Sequence, residues 1–323
     1  MRSKGITEEE LFSFLEKIKL EDKNHQYILS SMCTLPHQVA VRAHTLFMET
    51  NLGDPGLFPG TASLERLLIN RLGTLFHNPD ACGYATTGGT ESNIQALRIA
   101  RATAGIASPN VVIPESAHFS FKKACDMTGV EMRVVPLDRN YRADTDRYME
   151  AVDSHTCCMV GIAGTTEYGM VDPIEKLAAM ALKEGIFFHV DAAFGGMVLP
   201  FLEQAPSFDF ALPGVMSVAV DPHKMGLSTI PAGCLLLRNE KDLCSLSVDT
   251  PYLTVKQEFT LSGTRPGGSV AGAFAVLEYL GYEGMEAVVR GCMKNTRRLI
   301  DGMESFGIHP VVLPDVNVAT FEN

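Results

Sequence analysis

Residues 216–224 read MSVAVDPHK, an apolar run that is followed at once by Asp221, Pro222, His223 and Lys224. The other runs of this form are 110–114 (NVVIP), 131–136 (EMRVVP), 157–163 (CCMVGIA), 186–191 (IFFHVD) and 233–238 (GCLLLR). Strands that are apolar throughout are typical of a sheet covered by helices on both faces. With helical patterns at 91–104 and 174–184 between the earlier runs, the sequence predicts a three-layer α/β fold with ligands at the carboxyl ends of the strands.

The two ends of the chain are predicted to be more helical. Thr7 and Glu10 form a capping-box pattern before apolar residues at helical spacing, and a loop at 50–61 precedes a helix at 63–76. Helices are predicted at 268–280 and 286–305, followed by a strand at 309–314 (HPVVLP). A last strand without a neighbour indicates an incomplete small domain. We therefore expect an N-terminal helical segment (1–55), a large domain (56–262) and the start of a truncated C-terminal domain (263–323).

Composition excludes several classes of function. The 323 residues carry a net charge of −11, which disfavours nucleic acid or an anionic membrane as partner because both require clustered basic residues. No run approaches the roughly 20 apolar residues of a membrane span, and the start MRSKGITEEE lacks the apolar centre of a signal peptide. These features predict a soluble, cytoplasmic protein.

Eight cysteines lie scattered along the chain without C-x-x-C spacing, at positions 33, 82, 125, 157, 158, 234, 244 and 292. Most fall within apolar segments, so we expect buried thiols. A disulfide framework is typical of small oxidised domains, and a zinc site needs a ligand spacing that is absent here. The sequence therefore predicts neither a disulfide framework nor a metal site.

Chemically useful side chains follow several of the predicted strands. A lysine such as Lys224, at the end of a buried strand, favours the neutral amine that attacks an aldehyde, although alone it is as well explained as a surface lysine in a turn. Asp191 ends another strand and could pair with the pyridinium nitrogen of pyridoxal 5'-phosphate (PLP), or it could cap a helix. His189, inside that strand, is better explained as a core histidine.

Further polar groups belong to the same predicted edge. The segment TTGGTESN (residues 86–93) can bring backbone N–H groups and the Thr90 hydroxyl to a phosphate at a helix start. His118 follows NVVIP and could stack on a flat ring, while GTTEYG (164–169) supplies the hydroxyls of Thr165 and Thr166. Each feature alone is weak evidence, but together they place a phosphate cradle, a ring, a carboxylate and a lysine at one edge.

The ordered set TGGTESN, SAHFS, GTTEYG, HVDAAFGG and DPHK resembles the group II PLP-dependent decarboxylases, over nearly the whole chain. Within that group, NLGDPGLFPGT and DPHKMG are most similar to the archaeal L-tyrosine/L-aspartate decarboxylases. The resemblance implies the PLP-dependent transferase fold of the aspartate aminotransferase type. It also implies decarboxylation of tyrosine to tyramine or of aspartate to β-alanine, for methanofuran or coenzyme A biosynthesis.

The resemblance also implies roles for individual residues. Lys224 would carry PLP as a Schiff base, Asp191 would pair with the ring nitrogen, and His118 would stack on the ring. The remaining cofactor contacts implied are Gly89, Thr90 and His223 at the phosphate, Thr166 near the 3'-oxygen, Ala193 beneath the ring, and Thr264 reaching the phosphate of a neighbouring subunit. A homodimer with shared sites is therefore expected, with an amino acid as the small-molecule substrate.

Several points depart from this pattern or stay open. Asp221 stands where the family often has a neutral residue, and we expect it to orient the loop or a positive neighbour. His118, His223 and a loop tyrosine, of which Tyr252 is the nearest match, are candidates for the proton donor, and Arg265 need not bind the substrate carboxylate. The alternatives are a carbon–carbon lyase resembling sphingosine-1-phosphate lyase and a non-catalytic α/β binding protein.

Overall fold

The computed structural model describes residues 1–29, 31–32 and 34–322. Its helices are α1 (Glu8–Lys19), α2 (Gln38–Leu46), α3 (Pro59–Leu75), α4 (Gly89–Ala104), α5 (Ser120–Thr128), α6 (Thr145–Ala151), α7 (Ile174–Glu184), α8 (Glu240–Cys244) and α9 (Gly267–Glu304). Its strands are β1 (Cys82–Thr86), β2 (Asn110–Pro114), β3 (Glu131–Val135), β4 (Thr156–Ile162), β5 (Phe187–Asp191), β6 (Val215–Val220), β7 (Gly233–Leu237), β8 (Val248–Asp249) and β9 (Gln257–Glu258).

One seven-stranded sheet organises the chain, in the order β1-β7-β6-β5-β4-β2-β3. The neighbours from β6 to β3 are parallel, and β7 runs antiparallel to both β6 and β1. Strands β1, β2, β4, β5 and β6 therefore all point their carboxyl ends toward the same edge. The predicted mostly parallel sheet is confirmed.

Helices cover both faces of this sheet. Alternate residues of β7 show the division, because Leu236 packs into one hydrophobic cluster with residues of α3, α7 and α9. Leu235 and Leu237 pack into a second cluster with residues of α4, α5 and α8. Because most strands contribute apolar side chains to both clusters, their sequences are largely apolar and do not alternate, and the predicted three layers follow.

Several elements differ from the sequence-based predictions, and three of them are informative. The helix predicted from residue 63 begins at Pro59, because proline fits the first turn, where no N–H partner is needed. Strand β1 was not predicted at all. The strand predicted at 309–314 is wrong, since this segment forms only a single bridge between Pro310 and Phe321. Around this bridge the Val311 N–H donates to the Thr320 carbonyl and the Glu322 N–H donates to the His309 carbonyl, a pairing too short to form a strand.

The N-terminal helix forms as the sequence predicts, with the reciprocal capping box of Thr7 and Glu10. Its apolar side chains are not covered by the rest of the chain, however. Leu11, Leu15 and Ile18 are between 41% and 47% exposed, and α1 contains no buried residue. The helix therefore presents an apolar stripe to its surroundings.

The cysteines fit the prediction of buried thiols only in part. Cys125, Cys157, Cys158 and Cys234 are buried, and burial raises the pKa of the Cys125 and Cys157 thiols to about 11, which keeps them unreactive at neutral pH. Cys82 and Cys292 are half-buried, and Cys244 is exposed because it ends a short surface helix. Cys33 lies outside the described residues.

No helix within the described ranges is both long enough and apolar enough to cross a membrane.

Candidate active site

A cavity of about 340 Å³ opens at the carboxyl edge of the sheet, within the roughly 300–1,000 Å³ typical of small-molecule sites. The predicted site residues that line it are Gly89, Thr90, His118, Thr166, Asp191, Ala193, His223 and Lys224. Thr264 is the exception, because it is exposed and lies outside the cavity lining. A larger cavity of about 760 Å³ lies at the opposite edge and contains none of these residues.

Lys224 lies beside a buried carboxylate. It follows β6 in a turn whose backbone N–H donates to the Asp221 carbonyl, and its Nζ lies 3.0 Å from Asp221 Oδ2. The Asp221 side chain is 2% exposed, and its second oxygen has no hydrogen-bond partner among the described residues. Asp221 therefore orients a positive neighbour, as the sequence predicts, and that neighbour is Lys224.

Asp191 ends β5 with both carboxylate oxygens accepting hydrogen bonds. Oδ1 accepts from the backbone N–H of Ala193 at 3.1 Å, and Oδ2 accepts from the side-chain amide of Asn93 at 2.7 Å. The residue is 6% exposed but still lines the cavity. A carboxylate fixed in this way can receive a further donor from the cavity.

Helix α4 directs its first turn into the cavity. Gly88 has φ of 146°, a region open mainly to glycine, and within the described chain no side chain caps the helix start. A Cβ on Gly89 would lie 3.0 Å from the Ala193 Cβ and 3.2 Å from Asp221 Oδ2. The absence of a side chain there leaves room for a ligand near the helix N-terminus, where N–H groups and the helix dipole favour an anion.

Two histidines border the cavity in different ways. His118 is partly exposed, its Nδ1 accepts the backbone N–H of Ser120 at 3.2 Å, and burial lowers its pKa below the usual range. Its neutral form therefore carries the proton on Nε2. His223 Nδ1 lies 2.7 Å from the Ala232 carbonyl oxygen and 3.1 Å from the Ala232 backbone nitrogen, and its Nε2 lies 3.7 Å from Asp221.

Three residues discussed from the sequence lie elsewhere. Thr165 is fully buried and its hydroxyl accepts the Met170 N–H, so only Thr166 of the predicted hydroxyl pair lines the cavity. Tyr252 is 86% exposed and outside the lining. Arg265 is buried against Glu65 rather than directed at the cavity.

Some cavity residues were missed from the sequence. Asn93, Ser116, Phe194 and Asp221 all line it, and only Asp221 was discussed before. Asn93 stands four residues after Gly89, a spacing that places both on one face of α4, and this spacing could have predicted its position. Ser116 follows β2 directly, as His118 does.

These residues fit a phosphorylated aldehyde with a basic ring nitrogen. The cavity offers an amine, two buried carboxylates, hydroxyl groups and an uncapped helix start. Asp221 Oδ1 and the Ser116 hydroxyl are buried without a partner among the described residues, so both can still take a hydrogen bond from a ligand. Fold and site together define a PLP-dependent enzyme of the α/β class.

The chain belongs to the pyridoxal-dependent decarboxylase family, whose conserved-domain model matches residues 45–319. It is similar to a probable L-tyrosine/L-aspartate decarboxylase of Methanosphaerula palustris, with 67% identity over 99% of this chain and 88% of that protein. A protein of the same name from Methanoregula boonei is 68% identical over the same shares. The chain is therefore a PLP-dependent decarboxylase.

Solved structures share the fold of this chain. A sphingosine-1-phosphate lyase of Burkholderia pseudomallei superposes with a TM-score of 0.90 and 27% identity, over 100% of this chain and 80% of that one. A glutamate decarboxylase of Lactobacillus brevis gives a TM-score of 0.88 over 97% of this chain and 76% of that one. At 24% identity the second comparison concerns the fold alone.

Proposed function

We propose that this decarboxylase acts on L-tyrosine, giving tyramine, or on L-aspartate, giving β-alanine. The observation that carries the proposal is the 67% identity, over 99% of the chain, to a relative named for these two substrates. The products would serve methanofuran or coenzyme A biosynthesis. Both substrates share the α-amino and α-carboxylate groups at which the reaction takes place.

Three side chains are proposed to act on the reacting part of the cofactor. Lys224 supplies the amine that holds the aldehyde carbon, since its Nζ reaches into the cavity beside Asp221. Asp191 accepts a hydrogen bond from the protonated ring nitrogen, because it is the carboxylate held by neutral donors. His118 covers one face of the ring.

The phosphate is proposed to lie at the start of α4. Gly89 and Thr90 offer backbone N–H groups and a hydroxyl there, and His223 lies beside them. Thr166 would hold the 3'-oxygen, and Ala193 and His118 would contact opposite faces of the ring. Contacts on both faces would restrict tilting of the ring and so fix the plane against which the substrate is oriented.

When bound, PLP supplies a conjugated ring that accepts the electron pair left on Cα as carbon dioxide departs. The side chains of the site must hold the bond from Cα to the carboxylate perpendicular to that ring, since only this bond then breaks readily. They must also deliver one proton to Cα. The Lys224 amine would then replace the amine product at the aldehyde carbon, which releases the product.

The proton is proposed to come from a histidine at the cavity wall. His118 carries a proton on Nε2 in its neutral form, because Nδ1 accepts the Ser120 N–H. His223 is the second candidate, because it lines the cavity and would carry its proton on Nε2 when Nδ1 accepts the Ala232 N–H at 3.1 Å. A glutamine at either position would keep the volume approximately and remove the transferable proton.

A homodimer with shared sites is part of the proposal. Thr264 is exposed and outside its own cavity, as a residue that reaches a neighbouring subunit's phosphate must be. The uncovered apolar stripe of α1 is a surface that a second copy can bury. Light scattering that finds only monomer at working concentration would refute this part. The division at residues 55/56 and 262/263 stays a prediction.

The proposal is tested by measuring amine products from tyrosine, aspartate and glutamate with the wild type and with Lys224→Ala. Reduction with borohydride followed by peptide mass spectrometry should find the cofactor on Lys224. Lys183→Ala, at a lysine whose side chain is 83% exposed, is the matched control and should behave like the wild type. Modification of another lysine, or product formation by Lys224→Ala at the wild-type rate, would refute the assigned role.

The same assay separates the proposal from lyase activity. The 27% identity to a sphingosine-1-phosphate lyase makes carbon–carbon cleavage the second candidate. Such a reaction releases an aldehyde, whereas decarboxylation releases carbon dioxide and an amine. An aldehyde product without carbon dioxide would favour the lyase.

A further inference from the structure

A line of buried polar side chains leads from the centre of the sheet to Asp191. Ser217 Oγ lies 2.8 Å from His189 Nδ1, and His189 Nε2 lies 2.9 Å from Asn93 Oδ1. The Asn93 amide nitrogen lies 2.7 Å from Asp191 Oδ2 and 2.9 Å from the Ser120 hydroxyl. None of these five side chains belongs to a residue that is more than 6% exposed.

The hydrogen bonds in this line all point the same way. A carboxylate oxygen only accepts, so the Asn93 NH₂ group must face Asp191, and the Asn93 carbonyl oxygen must then accept from His189. His189 therefore carries its proton on Nε2. Its Nδ1 is left as an acceptor, so Ser217 donates to it. From Ser217 through His189 and Asn93, each donor is therefore directed toward the Asp191 carboxylate, while the second Asn93 amide hydrogen is donated to Ser120.

The secondary structure explains why these residues meet. His189 and Asp191 are two positions apart on β5 and share one face of the strand. Asn93 lies on α4, which packs on that face. Ser217 lies on β6 directly beside His189 in the sheet register. The arrangement therefore follows from rigid elements and not from a loop.

We propose that Asn93 and His189 are positioning residues that hold the Asp191 carboxylate fixed in direction for the ring nitrogen of PLP. This inference rests on the role proposed above for Asp191. The line supplies donors without supplying a positive charge. A positively charged side chain at position 189 or 93 would neutralise the Asp191 carboxylate and compete with the ring nitrogen for its hydrogen bond.

The burial of His189 supports a neutral line. The residue is fully buried, and burial lowers its pKa to about 4, although the nearby Asp191 acts in the opposite direction. The imidazole therefore stays uncharged at neutral pH. His189 fixes the orientation of the Asn93 amide, and that amide directs one hydrogen bond to Asp191.

The first test measures PLP binding to the apoprotein by titration of the cofactor's absorbance. Asn93→Leu removes the donor to Asp191 with little change in volume, and we expect it to weaken PLP binding about tenfold or more. Asn110→Leu is the matched control. Asn110 is equally buried and donates to Asp153 at 2.9 Å, but lies at the far end of the sheet. It should leave PLP binding within about twofold.

The second test separates hydrogen bonding from packing. His189→Gln keeps one donor and one acceptor and should retain PLP binding within about fivefold, whereas His189→Phe fills the space without either and should bind as weakly as Asn93→Leu. Nitrogen-15 NMR of histidine-labelled apoprotein should show His189 protonated on Nε2 only at pH 7. A proton on Nδ1 would overturn the proposed direction of the line.

A third variant distinguishes failure of this inference from failure of the role proposed for Asp191. If Asp191→Asn leaves PLP binding unchanged, the proposed partner of the ring nitrogen is wrong and the inference falls with it. If Asp191→Asn weakens binding but Asn93→Leu does not, only the positioning role is wrong. Equal weakening by Asn93→Leu and Asn110→Leu would mean general destabilisation and would also overturn it.

Discussion

Replacing Arg265 with methionine tests whether this arginine serves the structure or the substrate. Its guanidinium pairs with Glu65 and also donates to the carbonyls of Ala85 at 3.2 Å and Leu52 at 3.3 Å, and it lies over the Tyr84 ring at 5.3 Å. The side chains of Arg265 and Glu65 are only 7% and 13% exposed. Arg265→Met would leave the Glu65 carboxylate buried without its partner.

The magnitude follows from that burial. Removing one member of a buried ion pair costs about 3–5 kcal/mol of unfolding free energy, since the remaining charge is uncompensated. The midpoint of urea unfolding should then fall by an amount on the order of 1 M, without a change in slope. Adding Glu65→Gln to Arg265→Met removes the stranded charge and should restore about half of the loss.

The control is an ion pair that is exposed to solvent. Arg71 and Glu278 lie 2.6 Å apart with side chains 51% and 42% exposed, so Arg71→Met should cost at most about 1 kcal/mol. The KM for the amino-acid substrate should be unchanged in every folded variant. An Arg265→Met protein of wild-type stability with a raised KM would refute the structural role and indicate that Arg265 binds the substrate carboxylate.

Three further outcomes are expected. Gly89→Ala places a Cβ 3.0 Å from that of Ala193 and should weaken PLP binding roughly tenfold in a titration of the apoprotein. Gly281→Ala meets no atom within 4 Å, so its cost of about 1–3 kcal/mol in urea unfolding comes from φ of 60° and ψ of −169° alone. Burial lowers the pKa of His189 to about 4, so on acidification this histidine binds a proton in the unfolded chain at a higher pH than in the folded one. The wild type therefore loses stability as the pH falls from 6.5 to 4. His189→Gln should therefore gain about 3 kcal/mol of unfolding free energy over the wild type between pH 6.5 and 4. Burial raises the Asp172 pKa to about 6, so protonation of this group stabilises the folded chain as the pH falls. That contribution is the same in both proteins and cancels in the comparison.

Most strands that the sequence predicted are buried on both faces and apolar at nearly every position, so they stand out against any helix pattern. The edge strand β3 is the exception, since Glu131 and Val134 are exposed. Strand β1 was missed because it reads CGYAT and contains Gly83, whose φ is 143°. A Cβ on Gly83 would lie 2.0 Å from the Leu235 carbonyl oxygen. Gly83 makes the segment look unlike a strand, but close contact with β7 requires a glycine there. This requirement depends on the tertiary structure and cannot be read from the local sequence.

The candidate site was predictable where a side chain lies at or shortly after the end of a strand. Asp191 ends β5, and His118, Thr166 and Lys224 each lie four residues after a strand, while parallel strands bring their carboxyl ends to one edge. Asn93 was missed because its role depends on the side that α4 presents to β5. Thr165 and Thr166 could not be told apart, since their adjacent positions differ only in which one the Met170 N–H engages.

The two buried carboxylates of the site differ in what neutralises them, and this difference decides which one can serve a cationic ring. Asp221 Oδ2 has the Lys224 ammonium at 3.0 Å, with His223 Nε2 a further neighbour at 3.7 Å. Asp191 accepts only from an amide side chain and a backbone N–H, and within the described ranges no basic side chain lies within 4 Å of it. Its charge is therefore oriented but not neutralised by the protein. A protonated ring nitrogen would gain more at Asp191 than at Asp221, because Asp221 already faces the Lys224 nitrogen that would hold the cofactor, whereas Asp191 faces only neutral donors.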